Sequence, residues 1–549
     1  MTEQLLFEYN DQNVLIVYRA PTVIVPSPDP ESAALLLDTI RQRDFAVVSN
    51  RLSLSLGRRL GKGDLHAGIR IDYDGLFPRR LTLPPETAEL VANVPEGDPE
   101  GDLAVGAFHA AYTTRALSLR GGNVSGTFGR GLVLSIVPAD SLRGIEDQIV
   151  GGKARLTKGP FEATLLGGWT RSFDHTHAID NTRGDDERAR GHLFGARLEL
   201  SPEIAGRHVE GGLHFVSARY DLTREASSGS LDNPLAIERP EGDLLGASFE
   251  IFDLWGGRLS GYGEGALDLR DQEEERTGTP FALYAALQLD TDAFSLLVEG
   301  KDYDRFAYLF NRPPSLEHPS QLFNTFDVEG GRVEIGRPIE TKQAATRLHA
   351  GYGFFLDHNV SGLYSIPAES LRSHHVYGGI EETLATGTWK FEGGYRFLAG
   401  SGETFGEGSG RILHGDLDIT FPLSPDLATE VQFQVKETNY EATDFPVVIS
   451  YFKARTSLSL TLLRRLSLSG VFEYTTEPGA PGLSPAPLDP ATGEGQSTFL
   501  FAQAGYTLPG STRVKLGFGE TKGGYQCIGG ECRVFPAFGG VRLEMTTRF

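Results

Sequence analysis

Three groups of side chains in this chain have the types and spacing to do chemistry. His374-His375 stand side by side, and His414, Asp416 and Asp418 recur at every second position. Imidazole beside carboxylate is the material of acid–base catalysis or of a metal site. The second group is acidic. Asp174, His175, His177, Asp180, Asp185, Asp186 and Glu187 crowd one stretch, and Asp271, Glu273, Glu274 and Glu275 another. Hard oxygen ligands suit Ca²⁺ or Mg²⁺, but the spacing follows no calcium-loop pattern, so these stretches read either as cation sites or as solvated loops. The third group is Cys527 and Cys532, in Cys-Ile-Gly-Gly-Glu-Cys. The Gly-Gly pair lets the chain fold back, giving either a disulfide in an oxidising compartment or a free thiol pair. No nearby histidine completes a metal site with them.

What positions these groups is a repeated alternation. Leu52, Leu54 and Leu56 alternate with Arg51, Ser53 and Ser55; Leu65, Ala67, Ile69, Ile71 and Tyr73 alternate with His66, Gly68, Arg70 and Asp72. Trp389, Phe391, Gly393, Tyr395 and Phe397 oppose Lys390, Glu392, Gly394 and Arg396. Leu413, Gly415, Leu417, Ile419 and Phe421 oppose His414, Asp416, Asp418 and Thr420, and Val431, Phe433 and Val435 oppose Glu430, Gln432, Gln434 and Lys436. Period two over about ten residues is a two-faced β-strand. Here the polar face carries full charges of both signs, as a water-filled lumen would. The 549 residues are 40% hydrophobic and include 67 glycines, yet no run approaches the ~18–20 apolar residues of a membrane helix. The net charge of −22 disfavours nucleic acid and fits acidic loops meeting water or cations.

The connections alternate too. Short turns are predicted at 57–63, 119–122, 157–160, 201–206, 254–257, 289–293, 354–358, 384–387, 422–426, 463–465 and 508–511. Longer connections separate them, among them 75–104, 173–188, 221–241, 303–339, 477–495 and 523–536. This asymmetry belongs to outer-membrane barrels, whose short turns are periplasmic. With a first strand in 13–19, possibly extended back through 5–9, the parity gives about 24 strands, in the range 22–26. The chain then divides into 1–44, an N-terminal strand plus a Pro-rich, helical segment, and 45–549, the barrel. In 20–44 the four prolines break any strand, and Glu31–Arg43 reads as a helix with Ala33, Leu36, Leu37 and Ile40 on one face. It is either a surface helix or a plug in the lumen. Met1-Thr2-Glu3-Gln4 has neither a basic nor an apolar leader region, which conflicts with export unless the start lies upstream.

Two resemblances bear on this reading. The ending Val541–Phe549, apolar at alternate positions up to the terminal Phe549, resembles the C-terminal assembly signal of Gram-negative outer-membrane barrels, with Thr547 where a larger residue is usual. The segment 121–156, with Gly122-Asn123, Phe128-Gly129-Arg130-Gly131-Leu132-Val133-Leu134, Gly144-Ile145-Glu146 and Gly151-Gly152, resembles an uncharacterised outer-membrane β-barrel family of Bacteroidetes-type bacteria, a domain of unknown function. The closing segment from Cys527 through Phe538 is similar to the same family. Glu146 replaces that family's Asp, and Val124 an aromatic. The resemblance implies a cell-surface barrel and no activity.

The expected fold is therefore all-β: a single large antiparallel transmembrane β-barrel in the cell outer membrane. Parity puts Arg70, Asp72, Arg347, His349, Lys390, Glu392, Arg396, His414, Asp416, Asp418, Arg542 and Glu544 on the lumen, together with both His374 and His375. A lipase-type Ser-His pair would have to face lipid, so no enzyme is expected, and no cofactor or metal. Trp169, Trp255 and Trp389 fall near strand ends, as interface-belt residues do. The expected surroundings are the lipid bilayer and lipopolysaccharide, the barrel-assembly machinery during biogenesis, and a periplasmic or surface protein partner, with no nucleic acid. The expected function is passage or export of a solute or polymer, selected by lumen charge and partly occluded by inward loops. The alternative is a non-transporting scaffold or adhesion barrel. About 44 residues before residue 45 are too few for a globular plug, so energy-coupled uptake is not expected. An unplugged 24-stranded lumen would leak. Either 20–44 or the aromatic-rich 303–339 segment, with Tyr303, Phe306, Tyr308, Phe310, Phe323 and Phe326, should narrow it.

Overall fold

The computed structural model describes residues 5–18, 45–78, 100–136, 145–174, 187–204, 206–222, 241–270, 279–306, 308, 310–311, 313–314, 316, 327–341, 344–357, 370–401, 408–424, 426–442, 448–463, 465–476, 497–508, 512–521, 524–528, 531–535 and 538–548. Every helix or strand among them is a strand. The main sheet has 25 strands, one of which, Glu203–Ile204, is a two-residue piece pairing with Arg207–Leu222 alone. The other 24 follow one another antiparallel around a ring. The first, Leu5–Tyr18, pairs on one side with Phe45–Leu60 and on the other with the last, Phe538–Arg548, in register from Asn10↔Arg548 to Tyr18↔Gly540. Closure removes the edges that an open sheet would present.

Alternation assigns the faces. Leu213, Phe249, Leu283, Leu413 and Leu500 are exposed on the outside. On the inside of the same or neighbouring strands His214, Glu264, Lys301 and Arg396 are buried. An apolar belt this extensive on a closed ring has lipid as its solvent, since closure pairs each described wall strand with a neighbour on both sides. Trp169 and Trp255 stand exposed near opposite rims, and Trp389 lies near the short-turn rim, where its Nε1 donates to Glu382 Oε2 at 2.6 Å.

Connections at one rim are tight: 61–62, 114–116, 159–160, 341–343 and 385–386. Those at the other include 79–99, 223–240, 305–327 and 476–496. Three tight turns share one device. The Oγ1 of Thr114, Thr291 and Thr341 accepts from a backbone N–H two or three residues on, while the threonine N–H donates to the carbonyl of Leu117, Phe294 or Ala344. A threonine side chain replaces a ladder bond and starts the return.

Three expectations are corrected here. The turn at 119–122 falls instead at 114–116, and Leu117–Val124 is a strand. Gly122, at φ +94°, serves close strand approach: a Cβ there would lie 2.2 Å from Phe108 O. The loop 303–339 ends at residue 327, because Val328–Glu340 is a strand, and the turn expected at 354–358 falls at 341–343. Glycines and Pro338 disguised that strand. Pairing to the preceding strand stops at Gly336, so Pro338 has a ladder neighbour on one side only and its missing N–H costs little. The 20–44 segment, including its expected helix, lies outside the described residues, as do 271–275 and most of the 174–187 acidic stretch.

Candidate functional site

Between Val124 and Ile145 the chain leaves the wall. Residues 125–136 form an inward tongue in which Gly126–Phe128 pairs antiparallel with Leu134–Ile136. The run Leu132-Val133-Leu134 does not alternate, because both of its sides are covered: all three are fully buried, and Phe128 nearly so. Burying each such side chain is worth about 1.5–3 kcal/mol, which fixes the tongue against the inner wall. The tip turns through Gly129 (φ +57°) and Gly131 (φ +97°), with Gly131 N donating to Phe128 O at 3.0 Å.

The tip carries Arg130 onto the wall. Its backbone N–H donates to Glu264 Oε2 at 2.7 Å, which also accepts from Tyr262 Oη at 2.6 Å. Its guanidinium lies 4.1 Å over the Tyr262 ring, and Nη1 donates to Tyr284 Oη at 3.0 Å. Tyr284 donates onward to Glu299 at 2.7 Å, and Arg332 Nε to the other Glu299 oxygen at 2.5 Å. The chain of alternating charges and phenols satisfies groups that burial would otherwise penalise, and cation–π stacking adds to it.

A second segment, from Arg305 to Leu316, locks over the tongue. Ser135 N donates to Phe310 O at 2.9 Å, and Asn311 Nδ2 to Leu132 O at 2.9 Å. Tyr308 Oη reaches Asp268 Oδ2 at 2.7 Å. Tyr303, Phe306, Tyr308 and Phe310 are all fully buried, as an aromatic-rich loop requires. Phe323 and Phe326 lie outside the described residues.

At the tongue root, three alternate carbonyls meet three wall cations. Arg120 Nε donates to Asn123 O at 2.9 Å, Lys153 Nζ to Ser125 O at 2.9 Å, and Arg197 Nη1 to Thr127 O at 3.3 Å. Arg155 stands beside them, bonded to Glu162 at 2.5 Å.

The fit is close on both sides. A Cβ added at Gly246 of the wall would lie 2.4 Å from Val133 Cγ2, and one at Gly129 of the tongue would lie 2.4 Å from Glu264 Oε1. Gly246→Leu should therefore expel the tongue without opening the ring. Amide exchange across 126–136 is expected to rise at least tenfold while the strand Leu259–Asp268 stays protected. Equal exchange in both proteins would show that the tongue does not rest there.

The sequence-predicted lumen residues fall as follows. Arg347 bonds Glu334 Oε1 at 3.2 Å, and His349 bonds Glu392 Oε2 at 3.0 Å, with Lys390 Nζ 3.6 Å from the same oxygen. Arg396 is buried beside His375, opposite it in register, and His375 Nε2 is 2.8 Å from His414 Nε2, with Asp416 Oδ2 3.6 Å from His414 Nδ1. Asp418 is half-buried, on the Asp416 face, and Arg70 is half-buried on its own strand. Of Asp72, Arg542 and Glu544 only the backbone register is described: they pair with Ala104, Gly517 and Lys515. His374 is a correction. Adjacent strand residues face opposite ways, so only His375 shares the inner face; His374 joins Tyr352, Phe354 and Phe397 in an outer aromatic cluster, bonded to Tyr352 Oη at 2.8 Å. Among the described residues no group of three or more His, Cys, Asp or Glu is arranged to hold a metal. Sequence reading assigned no role to Glu264, Tyr262, Lys153 or Arg197. The one available signal was Gly-Arg-Gly ahead of an unalternating Leu-Val-Leu.

A closed 24-strand ring with an apolar belt, a polar inner wall and two inward loop segments is a transmembrane β-barrel of outer-membrane type. A model described as a family of unknown function (DUF6029) matches residues 489–549. No curated protein matches the chain in sequence. Among solved structures, the siderophore receptor PirA from Pseudomonas aeruginosa is similar at 10% identity over 99% of this chain and 80% of that one, with a TM-score of 0.45. The outer membrane transporter YddB from Escherichia coli is similar at 10% identity over 99% and 80%, with a TM-score of 0.44. OccAB3 from Acinetobacter baumannii is similar at 8% identity over 100% and 99%, with a TM-score of 0.33.

Proposed function

We propose that this barrel is a passage for a solute or polymer through the outer membrane, constricted by the tongue and the 305–316 segment. One observation carries the reading: the inward segments pack on one side of the wall, while on the other side the inner face is polar and meets water. There Lys390, Glu430, Gln432 and Gln434 are exposed, and Asp416, Asp418 and Lys436 partly so. Charges of both signs on a wetted wall select solutes by charge and size. The long-loop rim faces outward, lipid and lipopolysaccharide surround the apolar belt, and assembly machinery inserts the chain. The test is planar-bilayer conductance of the purified protein. Discrete single-channel steps are expected; a protein that inserts and never conducts would overturn the proposal in favour of a scaffold.

The same orientation places the hairpin Gly524–Ile528 with Glu531–Phe535 outside the cell, and its register sets Cys527 directly opposite Cys532. Opposed antiparallel positions are about 4.5–5.5 Å apart at Cα, within the span a disulfide bridges. The two thiols are expected to resist maleimide until reductant is added; labelling of the untreated protein would refute the bond.

A further inference from the structure

We propose that the tongue root is a binding site for a soluble anion carrying two or more charges, phosphate or carboxylate, and that its occupation releases the tongue. The consequence for flow rests on the passage reading above; the binding itself does not. The observation is the cation cluster. Arg120 and Lys153 are directly opposed in register, Lys153 and Arg155 are successive inner-face residues of one strand, and Arg155 and Arg197 both oppose Thr164. Four cations thus share one patch of inner wall in a chain whose net charge is −22.

Like charges directly opposed across strands repel. Two carboxylates offset part of the patch: Glu162 bonds Arg155 at 2.5 Å and Arg197 at 2.8 Å, and Glu199 lies 3.0 Å from Arg197. Both serve the Arg155–Arg197 side. On the other side Arg120 and Lys153 bond neutral carbonyls, those of Asn123 and Ser125. The bonds to these carbonyls are charge-assisted on the donor side alone, whereas an anion adds the Coulomb attraction of both cations at once. An incoming polyanion therefore outcompetes the two carbonyls for the cations that hold them. Arg120 and Arg155 are exposed, so the patch is reached by water. Once the carbonyls of Asn123 and Ser125 lose these two donors, the tongue keeps its tip contacts and the Arg197 bond to Thr127 O, and its root is held by fewer bonds. The solute would thereby loosen the segment that obstructs it.

The probe is pyrophosphate, titrated calorimetrically at low salt into the full-length, detergent-purified protein. Saturable binding is expected, weakened at least tenfold in Lys153→Gln and in Arg120→Gln, retained in Lys153→Arg, and unchanged in Lys390→Gln on the opposite wall. Heat-modifiable gel mobility confirms that each variant is folded. Amide exchange across 126–136 is expected to rise when pyrophosphate is bound. Absence of binding, or equal binding in Lys153→Gln, would overturn the site. Binding with unchanged exchange would overturn the release. A barrel that binds pyrophosphate through Lys153 and never conducts sinks the passage and leaves the site standing; one that conducts and ignores pyrophosphate does the reverse.

Discussion

Deleting residues 306–326 and joining the ends with a short Gly-Ser linker should raise single-channel conductance several-fold. The deletion stops before Asp327 because Val328 begins a wall strand and is itself buried in the core. The flanking strands pair directly with each other, from Ser295↔Gly336 to Tyr303↔Val328, so the ring stays closed. What leaves is the aromatic cover of Phe306, Tyr308 and Phe310, together with both hydrogen bonds that clasp the tongue through Phe310 O and Asn311. The tongue loses one of its two walls, and both obstructions move at once. Barrels of 16–18 strands already conduct, so a 24-strand ring freed of its inward segments has room for a much larger current. Conductance unchanged in a folded deletion protein would mean the segment is not in the path.

The second large effect separates two adjacent residues. Leu417→Arg should destabilise the barrel by about 2–4 kcal/mol, as an arginine facing the bilayer midplane does. Asp418→Arg, one residue on and facing the other way, should leave folding alone and shift ion preference. Leu417 lies mid-strand in Gly408–Ser424, on the face of the exposed Leu413, whereas Asp418 lies on the face of the buried His414. Denaturant-induced unfolding in lipid vesicles and reversal potentials across a salt gradient read the two effects. Similar destabilisation by both substitutions would mean the faces are misassigned.

The strands were legible because lipid and water leave a period-two signature that local residues carry alone: Lys390, Glu392 and Arg396 against Trp389, Phe391 and Tyr395. The rim asymmetry was legible for the same reason. The tongue was not. Phe128, Arg130 and Leu132 lie at alternate positions and imitate a strand, and only the positive φ of Gly129 and Gly131 turns them inward. Its seat is a property of distant partners: Glu264 is more than a hundred residues away, and Gly246 shows its role only when Val133 is against it. The turn expected at 119–122 fell on Gly121-Gly122, where Gly122 serves close strand approach, and the threonines at 114 and 341 that start the observed turns looked like any strand residue. His374 was put inside by taking two neighbours together where the backbone must separate them.

The seam between Asn10–Tyr18 and Gly540–Arg548 sets a timetable for biogenesis. The first strand lacks its second neighbour until the last has been placed, so the growing ribbon has two bare edges during assembly, each a template for pairing with any strand it meets. The polymer entropy of closing so long a circle is modest, growing only logarithmically with length. The hazard is one of waiting, not of thermodynamic cost, and the wait ends when the terminal strand has docked. Docking of the final strand on Asn10–Tyr18 thus leaves the ring with no edge to guard.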